Sequence, residues 1–139
     1  MISFNYETGF ELTDEKSLAL WLSAVIISEQ KKEGDINYIY CDDDYLLQIN
    51  QQYLNHDTLT DIISFDYSVG NELHGDIFIS VERVRENAIN FEVSFEEEMM
   101  RVMVHGVLHY CGYKDKSLED EAVMRQLEND KIKLFHVEQ

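Results

Sequence analysis

The sequence predicts an α+β fold: a single domain over residues 1–139, with a small mixed sheet packed by several helices. Its length of 139 residues suits one domain with its own core. Its hydrophobic fraction of 45% and charged fraction of 28% are typical of globular proteins. Strand patterns come mostly in the first half and helical patterns mostly in the second, with one candidate hairpin. This order favours α+β over a doubly wound sheet.

Four short runs, rich in β-branched and aromatic residues, are predicted to be strands. They lie at residues 2–6, 36–40, 62–65 and 76–79. A polar loop at residues 55–58 precedes the third run. A turn at Gly70 and Asn71 separates the last two runs, so we expect these two strands to pair as a hairpin.

Five helices are predicted from capping residues that precede apolar residues at helical spacing. Their first residues are marked by Thr13, by the acidic triplet Asp42–Asp44, and by Ser80, Ser94 and Ser117. Ser94 and Glu97 match a capping box, and Ser117 with Asp120 resembles a second one. The helix that follows Ser94 carries the residues of greatest functional interest.

The composition limits the classes of function. The chain has 28 acidic and 11 basic residues, a net charge of −17, which repels nucleic acid at long range. A divalent metal with a few cations can still bind a phosphate locally. No apolar run approaches the ~18 residues of a membrane helix, and residues 1–7 lack the features of a secretory signal. Two cysteines, Cys41 and Cys111, are too few for a disulfide framework, so we expect reduced thiols and a cytoplasmic location.

The most informative stretch runs from His105 to Asp115. Four residues along a helix advance about 400°, so His105 and His109 project from one face and two imidazoles can reach one metal ion. Gly112 stands where the helix should end and can adopt the left-handed conformation that turns the chain back. Asp115 is then placed to give a third ligand, at the spacing of the metzincin arrangement. Three protein ligands with an open fourth position are typical of a catalytic metal site.

Each of these residues also has an ordinary structural interpretation. Two histidines four residues apart occur by chance on many helices, and either could be a hydrogen-bonded core residue. Asp115 lies between Lys114 and Lys116, just before a capping serine, which is also typical of a solvated turn. Cys111 could bind a soft metal, but its helical direction favours packing in the core. The complete spacing from His105 to Asp115 favours the metal site.

Gly106, directly after the first histidine, distinguishes between classes of metallohydrolase. Zinc peptidases of the HExxH type have a glutamate there as general base, so a peptidase is unfavoured. A water bound to the metal, or another carboxylate, would have to transfer the proton. A glycine inside a helix costs about 1 kcal/mol relative to alanine, so its presence indicates close approach of another group to the helix.

The residues around this site resemble the signature of the YbeY endoribonucleases, a family of bacterial rRNA maturation factors. His105–His109 with Gly112 and Tyr113 is similar to the family's metal motif. Three further blocks are similar to family blocks, in the same order and spacing: Asn50–Tyr53, Asp57–Phe65 and Gly75–Ser80. Together they are specific, which the histidine pair alone is not.

The resemblance implies an α+β fold and one zinc ion held by three side chains, taken here as His105, His109 and Asp115. It also implies hydrolysis of single-stranded RNA in small-subunit rRNA maturation and ribosome quality control. The expected partners are therefore single-stranded rRNA, the small ribosomal subunit and assembly proteins, with no membrane.

Two positions depart from the family pattern. Asp115 stands where the family commonly has a third histidine; an aspartate can bind zinc but should raise the pKa of the bound water. Leu54 stands where many members have an arginine, which removes a cationic contact to the RNA phosphate.

Asp61 and Ser64 are the candidates for a polar wall of the substrate cleft, because they lie on or beside the strand that resembles the family's cleft strand. Equally, they could be a strand start and an outward serine. Asp76 is a candidate to hydrogen-bond a ligand imidazole and so orient it, or it simply follows Gly75 in a turn.

Three functional hypotheses follow. The first is a metal-dependent endoribonuclease whose general acid the sequence does not identify. The second is a non-catalytic ribosome-assembly factor with a structural metal site, favoured by the net charge and by Leu54. The third is a small-molecule hydrolase that uses the same site.

Overall fold

The described part of the chain forms four strands and five helices in a computed structural model, which covers residues 1–54 and 60–138. The strands are β1 (Ile2–Tyr6), β2 (Lys32–Cys41), β3 (Ile62–Asp66) and β4 (Glu72–Ser80). The helices are α1 (Glu15–Ser28), α2 (Asp43–Leu54), α3 (Val81–Phe91), α4 (Phe95–Tyr110) and α5 (Leu118–Glu138). The predicted polar loop at residues 55–58, with His56 and Asp57, lies outside the described residues, as does the side chain of Leu54.

The strands form one mixed sheet in the order β1-β2-β4-β3. β1 pairs with β2, and β2 with β4, in parallel. β3 pairs antiparallel with β4, with Ser64 opposite Ile77, and Gly70 takes a positive φ of 61° in the turn between them. The predicted mixed sheet and hairpin are therefore confirmed.

Helices cover the two faces of the sheet unequally. The main core lies between the sheet and helices α1, α3, α4 and α5. A smaller core lies under α2 on the other face and contains Cys41, Leu46, Ile49 and Ile63. Alternate residues of a strand point to opposite faces, so Ile62 and Ser64 share the face of α4 while Ile63 packs towards α2.

The three serine caps predicted from the sequence are confirmed. The hydroxyl oxygens of Ser80, Ser94 and Ser117 accept hydrogen bonds from backbone N–H groups three residues on, at 3.2, 3.1 and 3.0 Å. The cap predicted at Thr13 is wrong. α1 begins after Asp14 because the carbonyl of Asp14 accepts the first helical hydrogen bond, from Leu18.

Two further expectations from the sequence concern thiols and membranes. Cys111 packs against the main core, as predicted, and Cys41 is buried; both are free thiols. None of the described helices is long and apolar enough to cross a membrane.

Candidate metal centre

Helix α4, which carries both histidines, is fixed on the sheet by two tyrosine hydroxyls. Tyr38, fully buried on β2, donates a hydrogen bond to the Met103 carbonyl at 2.8 Å. Tyr110, at the other end of the helix, donates to the Phe65 carbonyl at 2.9 Å. The phenol of Tyr110 occupies the space in which a Cβ on Gly75 would stand. These contacts fix the helix at both ends of the segment that contains His105 and His109.

Gly106 lets the helix approach the sheet between these two anchors. A Cβ at this position would lie 2.9 Å from Cδ1 of Ile77 and 3.3 Å from Cδ1 of Ile62. The close approach predicted from the sequence is therefore confirmed, and its partner is the β-hairpin. The glycine lets the helix pack closely on the hairpin, directly beside the face from which the histidines project.

The three predicted ligands come together. Nε2 of His105 lies 3.1 Å from Oδ2 of Asp115, and Nε2 of His109 lies 3.5 Å from the same oxygen. One ligand atom from each residue falls within 4.8 Å of the others. Bonds of about 2.0–2.1 Å at the tetrahedral angle place neighbouring ligand atoms about 3.3 Å apart. The two nitrogens and the carboxylate therefore form a group that can hold one metal ion.

The third candidate ligand lies on the turn that follows α4. Cys111 is the C-cap of the helix, and Gly112 has a φ of 105°, which allows the chain to turn back as predicted. Asp115 comes three residues later, before α5, and its side chain is 40% exposed. Tyr113 ties this turn to α1, because its hydroxyl donates to Oε1 of Glu29 at 2.7 Å.

Glu128 is the functional residue that sequence reasoning missed. It lies on α5, its side chain is only 7% exposed, and its Oε2 lies 2.7 Å from Nδ1 of His105. Its other oxygen pairs with Arg101 at 3.1 Å, and Arg101 also donates to Oδ1 of Asn129 at 2.9 Å. A carboxylate on Nδ1 fixes the imidazole tautomer and directs Nε2 towards a metal.

A spacing signal for part of this arrangement was present in the sequence. Glu98, Arg101, His105 and His109 recur every three or four residues, so these polar side chains share one stripe of an otherwise apolar helix. Such a stripe indicates a polar site in place of a core face. Glu128 has no comparable signal, because it arrives from a different helix.

A cleft of about 430 Å³ opens over the three ligands. Its wall contains the predicted residues Asp61, directly before β3, and Ser64, on β3. Glu98, Arg101 and Arg125 also line it. The hypothesis that Asp76 orients a ligand imidazole is wrong. Asp76 lies in a groove on the α2 side of the sheet and accepts a hydrogen bond from Asn37 at 3.1 Å, whereas Glu128 contacts His105.

Burial and negative charge together set the protonation of the cleft. Burial raises the pKa of the Asp61 carboxyl above its ordinary value, although the nearby His105 opposes this. Burial also raises the pKa of Glu98. For His105, burial disfavours the imidazolium, but the hydrogen bond and charge of Glu128 outweigh it, so the pKa of His105 is raised. The cleft therefore favours cations.

Known proteins resemble this chain over nearly its whole length. The model of the family described as endoribonuclease YbeY matches residues 3–136. A Flavobacterium psychrophilum protein with that name is 70% identical over 139 residues, which cover 100% of this chain and 99% of that protein. A second one, from Flavobacterium johnsoniae, is 68% identical over 139 residues, and the match covers 100% of both chains.

A solved structure supports the same relationship. The solution structure of a Thermotoga maritima protein matches with a TM-score of 0.67 and 26% sequence identity, and the match covers 99% of this chain and 93% of that one. The resemblance inferred from the motifs is therefore confirmed at the level of the family. The chain belongs to the family of YbeY endoribonucleases.

Proposed function

We propose that the chain is a single-strand-specific, zinc-dependent endoribonuclease that acts in small-subunit rRNA maturation and ribosome quality control in the cytoplasm. The observation that carries this proposal is the convergence of His105, His109 and Asp115 within 4.8 Å at the floor of an open cleft. Membership of an endoribonuclease family supports RNA as the substrate.

The donor set favours zinc. Two imidazoles and one carboxylate with a position left open are typical of catalytic zinc sites. When bound, the metal supplies a Lewis acid that activates water and polarises a phosphoryl oxygen. Glu128 holds His105 in the orientation that binding requires, and Arg101 balances the charge of Glu128.

The cleft wall suggests which residues meet the substrate. Ser64 is exposed on β3 and can donate a hydrogen bond to a ribose or phosphate oxygen. Asp61 lies beside the candidate ligands in the same wall, and its carboxyl group can hydrogen-bond a ribose hydroxyl. We assign both residues to substrate positioning in this proposal.

The test is cleavage of single-stranded RNA by purified, zinc-reconstituted protein, compared with a duplex of the same sequence. We expect the wild type to cut the single strand, chelation to abolish cutting, and zinc to restore it. His109→Ala should be inactive. His136→Ala, an exposed histidine on α5, controls for contaminating nuclease and for loss of an imidazole. Cleavage by His109→Ala at the wild-type rate contradicts the proposal.

A non-catalytic ribosome-assembly factor is the second candidate, and the net charge of −17 favours it. In that case the metal organises a binding surface and hydrolysis is incidental. Cells that carry only His109→Ala distinguish the two functions. Normal rRNA maturation and ribosome binding in those cells would favour the assembly factor, whereas accumulation of unprocessed small-subunit rRNA would favour the nuclease.

A further inference from the structure

The cleft has two cations in its described wall, and they are held in different ways. Arg101 is committed to the protein. Its side chain is 14% exposed, it pairs with Glu128 at 3.1 Å, and it donates to Asn129 at 2.9 Å. Arg101 is therefore the buried counter-ion of the carboxylate that orients His105.

Arg125 is held much more loosely. Its side chain is 53% exposed, and its ion pair is with Oε1 of Glu128 at 3.7 Å, which is longer than a hydrogen bond. That oxygen already pairs with Arg101, and the other oxygen of Glu128 already contacts His105. An exposed ion pair of this kind stabilises a protein little. The guanidinium of Arg125 is thus available to another anion.

The backbone that carries Arg125 is nevertheless fixed beside the metal centre. As whole residues, its neighbours Met124 and Glu128 are 2% and 5% exposed, so this turn of α5 is packed against the core. Arg125 lines both the main cleft and a recess behind it, where His105 and Asp115 are also part of the wall. The head group of Arg125 therefore lies at the edge of the site.

The charges of the cleft make an anion site here dependent on the metal. The described wall contains four carboxylates and two guanidinium groups: Asp61, Glu98, Asp115 and Glu128 against Arg101 and Arg125. With every carboxyl ionised the metal-free cleft is negative and repels phosphate. A divalent ion brings the formal charge of the cleft to zero, so a phosphate that approaches Arg125 is no longer repelled by a net negative charge.

We propose that Arg125 is a phosphate-binding residue that holds a backbone phosphate of single-stranded RNA beside the metal, and that it does so only when the metal is bound. This inference rests on the proposed function. An arginine suits the task because its planar guanidinium can donate two parallel hydrogen bonds to a phosphate. Such a contact supplies locally the attraction that a strongly acidic chain lacks at long range.

The experiment measures binding of a short fluorescent 2′-O-methyl RNA to metal-reconstituted protein by anisotropy, with metal affinity measured in parallel. Arg125→Ala should weaken RNA binding by about tenfold or more, and Arg125→Lys should weaken it less. The slope of log affinity against log salt should fall by about 0.7, the value of one phosphate contact on a single strand. Metal affinity should stay within a few-fold of the wild type.

Two controls separate a local contact from general charge and from a structural role. Lys133→Ala removes one exposed cation from the same helix and should leave RNA binding nearly unchanged. Removal of the metal should weaken binding by the wild type and eliminate the difference between it and Arg125→Ala.

The outcomes distinguish this inference from the proposed function. If the wild type binds RNA and Arg125→Ala binds as tightly as Lys133→Ala does, Arg125 is no phosphate site and the proposed function stands. If Arg125→Ala loses metal and RNA affinity together, the residue acts through Glu128 and the inference is overturned. If the wild type neither binds nor cleaves RNA with metal present, both the inference and the proposed function fail.

Discussion

The three candidate ligands are held by two different kinds of structure. His105 and His109 lie on α4, whose backbone is anchored to the sheet by Tyr38 and Tyr110. Asp115 lies on the turn between α4 and α5, with its side chain 40% exposed. The helix thus holds the two imidazoles in a fixed relation without a metal. The carboxylate of Asp115, in contrast, lies on a turn that is tied to α1 by Tyr113.

This difference indicates how binding energy is divided within the site. Ligands on a rigid element bind without a large cost of ordering, whereas a ligand on a turn must be ordered when it binds. The histidines should therefore dominate metal affinity and Asp115 should adjust it.

His109→Ala should have the largest effect on metal binding. The imidazole is 32% exposed and contacts Asp115, so its loss removes a candidate ligand without opening the core. We expect metal affinity to fall by more than about 100-fold, above the effect typical of losing a group that only orients a ligand. Competition with a chromogenic chelator measures the affinity.

The metal-free variant provides the control for folding. The free energy of unfolding of metal-free His109→Ala in urea should stay within about 0.5 kcal/mol of that of the metal-free wild type, as for most substitutions away from the core. Metal affinity close to that of the wild type would remove His109 from the ligand set and contradict the conclusion that the helical histidines dominate metal affinity.

Asp115→Ala should have a smaller effect on the same measurement. Water can occupy the position that the carboxylate leaves, and the two helical imidazoles remain, so we expect a loss of about 100-fold at most. The metal affinity of Asp115→Asn, which keeps the size of the side chain and removes its charge, should lie between those of the wild type and Asp115→Ala. Full metal occupancy in Asp115→Ala under chelator competition would show that the turn gives no ligand.

Glu128→Gln should weaken metal binding by about tenfold. The amide oxygen can still accept a hydrogen bond from Nδ1 of His105, but the negative charge is lost and Arg101 keeps no carboxylate partner at 3.1 Å. Asp130→Asn makes the same chemical change at an exposed position of α5 and should leave affinity unchanged. Equal affinities for the two variants would reduce Glu128 to a packing residue.

Local patterns were sufficient to predict the part of the site that lies on α4. The spacing of His105 and His109 is a property of one helix, and the serine that caps this helix is likewise read within one turn. Gly106 signalled a close contact, although not that Ile77 would make it. The hairpin was also predictable, since its two strands are joined by a short turn.

Long-range pairings were not predictable in the same way. The central place of β4 in the sheet depends on how two parallel connections pack, and no local pattern encodes that order. Glu128 contacts His105 across 23 residues and Tyr113 contacts Glu29 across 84. Each is an unremarkable polar residue in sequence and gains its role only when α5 and α1 pack beside α4.

Glu29 offers the finest test of the comparison, because it tethers the turn without touching the site. Its carboxylate accepts from Tyr113 at 2.7 Å and pairs with Lys131 at 2.8 Å. Glu29→Gln should reduce the free energy of unfolding at neutral pH by about 1–3 kcal/mol. It should lower metal affinity by less than about tenfold, through a turn that holds Asp115 less firmly.

The pH dependence of that destabilisation identifies the carboxylate as its source. Burial raises the pKa of Glu29, but the hydrogen bonds from Lys131 and Tyr113 outweigh it, so the folded-state pKa lies below the ordinary value of 4.5. The stabilising contribution is therefore complete above that value and is lost as the pH falls through the lower folded-state pKa. The difference in free energy of unfolding between the wild type and Glu29→Gln should shrink over that acidic range.

Tyr113→Phe removes only the bond to the turn, so it should reproduce the loss of metal affinity with a smaller loss of stability. If Tyr113→Phe leaves metal affinity unchanged while Asp115→Ala lowers it, the turn holds its ligand without this tether, and the two sides of the site are more alike than their structures suggest.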